Sequence, residues 1–168
     1  EITGYLEKKI KSEKRIFVCG NGGSASIANH FLCDFNKGIK ISSKGRLKPK
    51  IISLSSSAEI ITAISNDIDF KDIFKYQFEN YFQKNDVLVA FSCSGKSKNI
   101  TSLLNFCLKK NIQVIYITGF SNKLINNKNV TQLNLNCKNY GITEDIFSSL
   151  MHIISQYIRL YYKQNEIL

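Results

Sequence analysis

Three short apolar runs in this chain stop abruptly at turns built from small polar residues. Arg15 to Cys19 runs into Gly20-Asn21-Gly22-Gly23-Ser24, Lys50 to Leu54 into Ser55-Ser56-Ser57, and Asp86 to Ser92 into Cys93-Ser94-Gly95-Lys96-Ser97. Runs this short, rich in Val, Ile and Phe without a polar alternate, suit strands buried on both faces of a parallel sheet. Gln113 to Thr118 and Val130 to Leu135 repeat the pattern. Amphipathic stretches lie between or after them: Ala25 to Phe35, Ala58 to Ser65, Lys71 to Phe82, Lys98 to Lys109 and Glu144 to Lys163. Alternating strands and helices predict an α/β fold, a three-layer α/β/α sandwich on a five-stranded parallel sheet. Crossovers are right-handed, so a sheet that grows both ways from its first strand carries helices on both faces. At 168 residues, 43% hydrophobic and with one proline, the chain is expected to form one domain over 1–168.

In such sheets ligands bind outside the carboxyl ends of the strands, where these turns fall. A Gly- or Ser-rich turn opening a helix offers free N–H groups and the positive end of the helix dipole, which suits an anion. Ser92, Ser94 and Ser97, and Ser55 to Ser57, are therefore candidate phosphate donors. A single serine there reads as an ordinary N-cap; two serine-rich turns at one sheet edge point to a ligand. Gly20 to Ala25 also fits the dinucleotide fingerprint G-x-G-x-x-A. A nucleotide site would want an acid closing the second strand, yet Leu54 leads into serines, which favours a phosphosugar.

The formal charge is +10. The lysines are scattered, with one local cluster from Lys44 to Lys50, so the charge is expected to assist a phosphorylated substrate and no nucleic-acid partner is expected. Cys19, Cys33, Cys93, Cys107 and Cys137 form no CxxC pair and are odd in number, as reduced thiols would be. No apolar run reaches the roughly 18 to 20 residues that span a membrane, and a cytoplasmic protein is expected. The chain opens on Glu1 rather than Met, so an upstream segment is expected.

The two histidines each have a carboxylate at helical spacing. Asp34 follows His30 by four residues, on the same face, and Glu144 precedes His152 by eight, a little over two turns. If the two helices meet near the strand ends, the four residues offer N and O ligands to a divalent metal or form an acid/base pair. Spacing alone leaves the metal, the acid/base pair and a plain surface contact open.

The segment Cys19-Gly20-Asn21-Gly22-Gly23-Ser24-Ala25, with Asn29-His30-Phe31 and an acid at position 34, resembles the opening motif of the phosphoheptose isomerases, enzymes of the SIS (sugar isomerase) fold. Ile61-Thr62-Ala63-Ile64-Ser65-Asn66-Asp67 is similar to their "TAIGND" segment, Asp86 to Ser97 to their "GDVLIGISTSGNS" segment, and Glu144 to His152 to their last helix. The order and spacing agree over nearly the whole chain. The resemblance implies conversion of sedoheptulose 7-phosphate to D-glycero-D-manno-heptose 7-phosphate through an enediol, for heptose and lipopolysaccharide or capsule precursors. It implies that Asn21, Gly22, Gly23, Ser24, Asp34, Asn66, Asp67, Ser92, Cys93, Ser94, Ser97 and Glu144 contact substrate. It implies that His30, Asp34, Glu144 and His152 hold zinc, that Asp34 and His152 exchange protons, and that the enzyme is a homotetramer with shared sites. The family's N-terminal helix is expected upstream of Glu1.

The chain departs from the family pattern at Asp34 (usually Glu), Glu144 (Gln), Cys93 (Thr), Lys96 (Asn) and Gly141 (often Asp). These departures bear on substrate and activity. Two rival readings are an isomerase of another sugar phosphate and a non-catalytic SIS module that binds a sugar phosphate or a protein partner, as in relatives that act at replication initiation.

Overall fold

The computed structural model describes residues 1–120 and 123–164. Its elements run α1 (Ile2–Lys11), β1 (Arg15–Cys19), α2 (Gly23–Cys33), a π-helical turn (Asp34–Ile39), α3 (Lys40–Ser42), β2 (Lys50–Ser53), α4 (Ala58–Asp67), a 3-10 turn (Phe70–Asp72), α5 (Ile73–Tyr81), β3 (Val87–Ser92), α6 (Lys98–Lys109), β4 (Gln113–Thr118), β5 (Val130–Asn134) and α7 (Tyr140–Gln164). All strand pairs are parallel, in the order β2-β1-β3-β4-β5. The five expected strands are all present, within a residue of their expected ends.

Side-chain alternation splits the core in two. Ile16 and Val18 of β1 and Val87, Val89 and Phe91 of β3 face one layer, where they meet Leu6 and Ile10 of α1, Phe31 of α2, and Phe147, Met151 and Ile154 of α7. Phe17 and Cys19 of β1 and Leu88 and Ala90 of β3 face the other, against Ile64 of α4, Phe74 and Phe78 of α5, and Leu103 and Leu104 of α6. Every residue of β3 is buried, as expected of a central strand covered on both sides. Its first residue is preceded by Asp86, which accepts from the Arg15 backbone (3.0 Å) and side chain (2.9 Å) and from the Gln83 N–H (2.7 Å). The β2 edge is closed by Asn36, whose amide bonds both backbone groups of Ile51 (2.9 and 3.0 Å).

Three helical features differ from expectation. Residues 2–11 form α1, whose Leu6 and Ile10 are buried. The helix expected to end at Phe35 changes winding at Asp34 into a π turn, a form that recurs at functional sites. The last helix begins at Tyr140, four residues before Glu144. Among the described residues no helix is long and apolar enough to cross a membrane.

Candidate functional site

The chain leaves β1 into α2 on one face and β3 into α6 on the other, so the carboxyl ends of these adjacent strands part around a crevice. A cavity of about 240 Å³ lies there, lined by Asn21, Gly22, Ser24, Phe91, Ser92, Cys93, Ser94, Ser97, Tyr140 and Glu144. Gly22 allows the first turn, since its φ of 55° is a left-handed value that side chains resist. Asn21 is held by a reciprocal amide pair with the fully buried Asn99 of α6 (2.9 and 2.8 Å). The second turn is tied down by the Cys93 carbonyl, which accepts from Gly119 (3.1 Å) and Phe120 (2.7 Å).

Neither α2 nor α6 has a side-chain cap. Ser97 stands at the N-cap of α6 with its hydroxyl unused for capping, and Ser92 and Ser94, whose oxygens accept from the Gly95 (3.1 Å) and Lys96 (3.2 Å) N–H groups, can still donate, so two helix N-termini and three hydroxyls can serve an anion. The serines after β2 do otherwise. Ser55 donates to the Gly20 carbonyl (2.8 Å) and accepts its N–H (3.1 Å), Ser56 donates to the Ser53 carbonyl, and Ser57 donates to Glu59. Ser55 thus braces the first turn, Ser56 and Ser57 bond within their own segment, and none of the three lines the cavity, which corrects their reading as phosphate donors. Cys93 Sγ lies 3.6 Å from Ser24 Oγ and 3.8 Å from Glu144 Oε1. Burial, and then the Glu144 charge, push its thiol pKa up, so it remains a neutral thiol near pH 7.

Along α2 and α7, three contacts recur in step: Gly23 with Glu144, His30 with His152, and Asp34 with Ser155. The two helices therefore run side by side in the same direction. A Cβ on Gly23 would collide with the Glu144 carboxylate, so glycine there allows the close approach. Two turns further on, His30 Nε2 and His152 Nε2 stand 2.9 Å apart, one nitrogen necessarily donating and the other accepting. Asp34 bridges them, Oδ1 at 3.7 Å from His30 and Oδ2 at 3.6 Å from His152.

The ligand atoms of His30, Asp34 and His152 all lie within 4.8 Å of one another. Two imidazoles and one carboxylate fit a divalent cation such as zinc at a three-ligand site that keeps a position for water or substrate. Bond lengths near 2.0 to 2.1 Å would require the two nitrogens to part by roughly 0.4 Å, a small ring rotation. Glu144, expected as a fourth ligand, is not in the cluster. Eight residues of helix put it about 12 Å up the axis, on the cavity wall.

Of the residues expected to contact substrate, Asn21, Gly22, Ser24, Ser92, Cys93, Ser94, Ser97 and Glu144 line one cavity, with Gly23 packed behind Glu144. Asp34 sits with the histidines instead. Asn66 and Asp67 are exposed on the last turn of α4, bonded to each other (2.7 Å) and outside the cavity. Tyr140 and Phe91 line the cavity without having been anticipated; Asn99 supports it from behind through Asn21, and Ser155 backs the histidine cluster through Asp34. Tyr140 was legible as the residue one helical turn before Glu144, and Ser155 as the residue one turn after His152.

A family model described as the SIS domain matches residues 4–119. The phosphoheptose isomerase of Helicobacter pylori (strain Shi470) is 34% identical over 114 residues, 68% of this chain and 58% of that protein. That of Campylobacter concisus (strain 13826) is 37% identical over 110 residues, 66% of this chain and 57% of that one. The matches thus span little more than half the length of these curated relatives. The solved phosphoheptose isomerase of Neisseria gonorrhoeae shares the fold, with a TM-score of 0.82 and 24% identity over 94% of this chain and 82% of that one.

Proposed function

The chain belongs to the SIS domain family, and from that membership and the site's geometry we propose that it isomerises sedoheptulose 7-phosphate to D-glycero-D-manno-heptose 7-phosphate. The observation that carries this reading is the pairing, along α2 and α7, of an anion-type cavity at their N-terminal ends with a His-Asp-His cluster two turns away. An anion site and reactive groups about 10 to 12 Å apart suit a long phosphosugar, held by its phosphate at one end and open to proton transfer at the other.

The phosphate is bound by the Ser92, Ser94 and Ser97 hydroxyls and the free N–H groups opening α6. Asn21, Ser24 and Glu144 bond the sugar hydroxyls, and Tyr140 covers the cavity mouth. Asp34 takes the proton from the carbon next to the carbonyl and returns it to the former carbonyl carbon, while His152 moves a proton between the two oxygens. His30, Asp34 and His152 would hold zinc, which would supply Lewis-acid polarisation of the carbonyl when bound.

The working protein is a homotetramer with shared sites, in the cytoplasm, feeding cell-surface heptose. Support for assembly comes from α7, whose outward face carries Ile142, Ile146, Ile153, Tyr157 and Leu160, all exposed and near helical spacing. A helix apolar on both sides is normally covered on both. Because α7 also carries Glu144 and His152, a copy packed on it would border the site. His152→Ala should abolish turnover while leaving the circular dichroism spectrum unchanged; a folded His152→Ala protein with full turnover removes His152 from the mechanism. A pure sugar-phosphate-binding module is the rival, and it predicts binding without turnover in the wild type.

A further inference from the structure

Asp34 is a short carboxylate with a demanding place. It must offer one oxygen to each of two imidazoles on different helices, from the residue at which α2 changes to π winding. Something must fix its plane. Ser155, fully buried on α7 one turn beyond His152, sets its hydroxyl 3.3 Å from Asp34 Oδ2 and 3.1 Å from the His152 carbonyl. The hydroxyl has one proton and can turn it to either acceptor; the carboxylate, being charged, is the stronger. It thus joins the turn that carries one histidine to the carboxylate that bridges both.

We propose that Ser155 is a positioning residue for Asp34, setting the orientation of the carboxylate and thereby the affinity of the His30-Asp34-His152 cluster for a divalent cation. This rests on the reading of that cluster as a metal site. Groups that orient a ligand from behind in this way typically contribute 10- to 100-fold in metal affinity. The role is indirect, so it must vanish when Asp34 is gone.

The test is a zinc titration by calorimetry, repeated with cobalt(II) followed by its visible absorption, on four full-length proteins: wild type, Ser155→Ala, Asp34→Ala and the double variant. The expected result is a loss of about 10- to 100-fold for Ser155→Ala, with altered cobalt bands, and no further loss on adding Ser155→Ala to Asp34→Ala. Unchanged affinity in Ser155→Ala, or the same loss in both backgrounds, overturns the proposal. If the wild type binds neither ion, the metal reading itself falls and the proposal with it; wild-type binding with an unaffected Ser155→Ala protein sinks the positioning role alone. Neither outcome depends on the identity of the sugar.

Discussion

Replacing Asn99 by alanine tests how the cavity's first wall is held. Asn99 is fully buried, exchanges two hydrogen bonds with Asn21 (2.9 and 2.8 Å), and accepts a third from the Ile100 N–H (2.9 Å). Each such bond contributes about 1 kcal/mol net, so Asn99→Ala should cost about 3 kcal/mol. For a chain of this size that lowers the melting temperature by about 6 to 12 °C. Asn21→Ala breaks only the shared pair and should cost about 2 kcal/mol, and the double variant should show coupling of the same size. Urea and thermal unfolding of the four proteins give these values, and a substrate titration adds the functional half. Freeing Asn21 slackens the turn that faces the substrate, so KM should rise about tenfold with kcat less affected. A melting temperature within about 1 °C of wild type would place Asn99→Ala among ordinary surface substitutions and show that the Asn21–Asn99 pair does not hold the wall.

Two other predictions concern glycine and acidity. Gly23→Ala puts a methyl against the Glu144 carboxylate, the mobile end of a long side chain, so the fold should hold while Glu144 leaves the cavity wall and kcat/KM drops by about 100-fold; full activity with normal folding would show that Glu144 has no part in binding. Burial pushes the Cys107 thiol from 9.0 up to about 12. Because its folded-state value is raised, the stability tied to the neutral thiol is whole below the unfolded value and is lost as pH climbs toward about 12. Cys107→Ala should therefore remove about 1.4 kcal/mol per pH unit from the alkaline decline measured by urea midpoints above about pH 9. An unchanged slope would contradict this.

The strands were legible because a buried parallel strand writes its character locally, in runs such as Val87 to Phe91 that have no solvent face. The Asn21 to Ser24 and Ser92 to Ser97 walls followed from the small polar turns at the carboxyl ends of their strands, whereas the strand order that sets them side by side came only with the structure. The α1 helix had its signal too, in Ile2, Leu6 and Ile10 at four-residue intervals, masked by the lysines around them. What escaped was decided by tertiary packing. Serines after β2 and β3 look alike in sequence, and only the proximity of Gly20 turned Ser55 inward to brace a neighbouring loop. Likewise Glu144 and His152 share a helix, but eight residues of rise separate their side chains unless one bends toward the other. Asn99 carried no signal at all, since a buried asparagine is marked only by the partner it finds.

The most direct measurement is proton NMR of sedoheptulose 7-phosphate incubated in heavy water with zinc-loaded, full-length protein. A new aldose signal with deuterium at the carbon beside the new carbonyl, the trace left by an enediol, is the expected result. An unchanged ketose spectrum from protein shown to be folded and metal-loaded would contradict it.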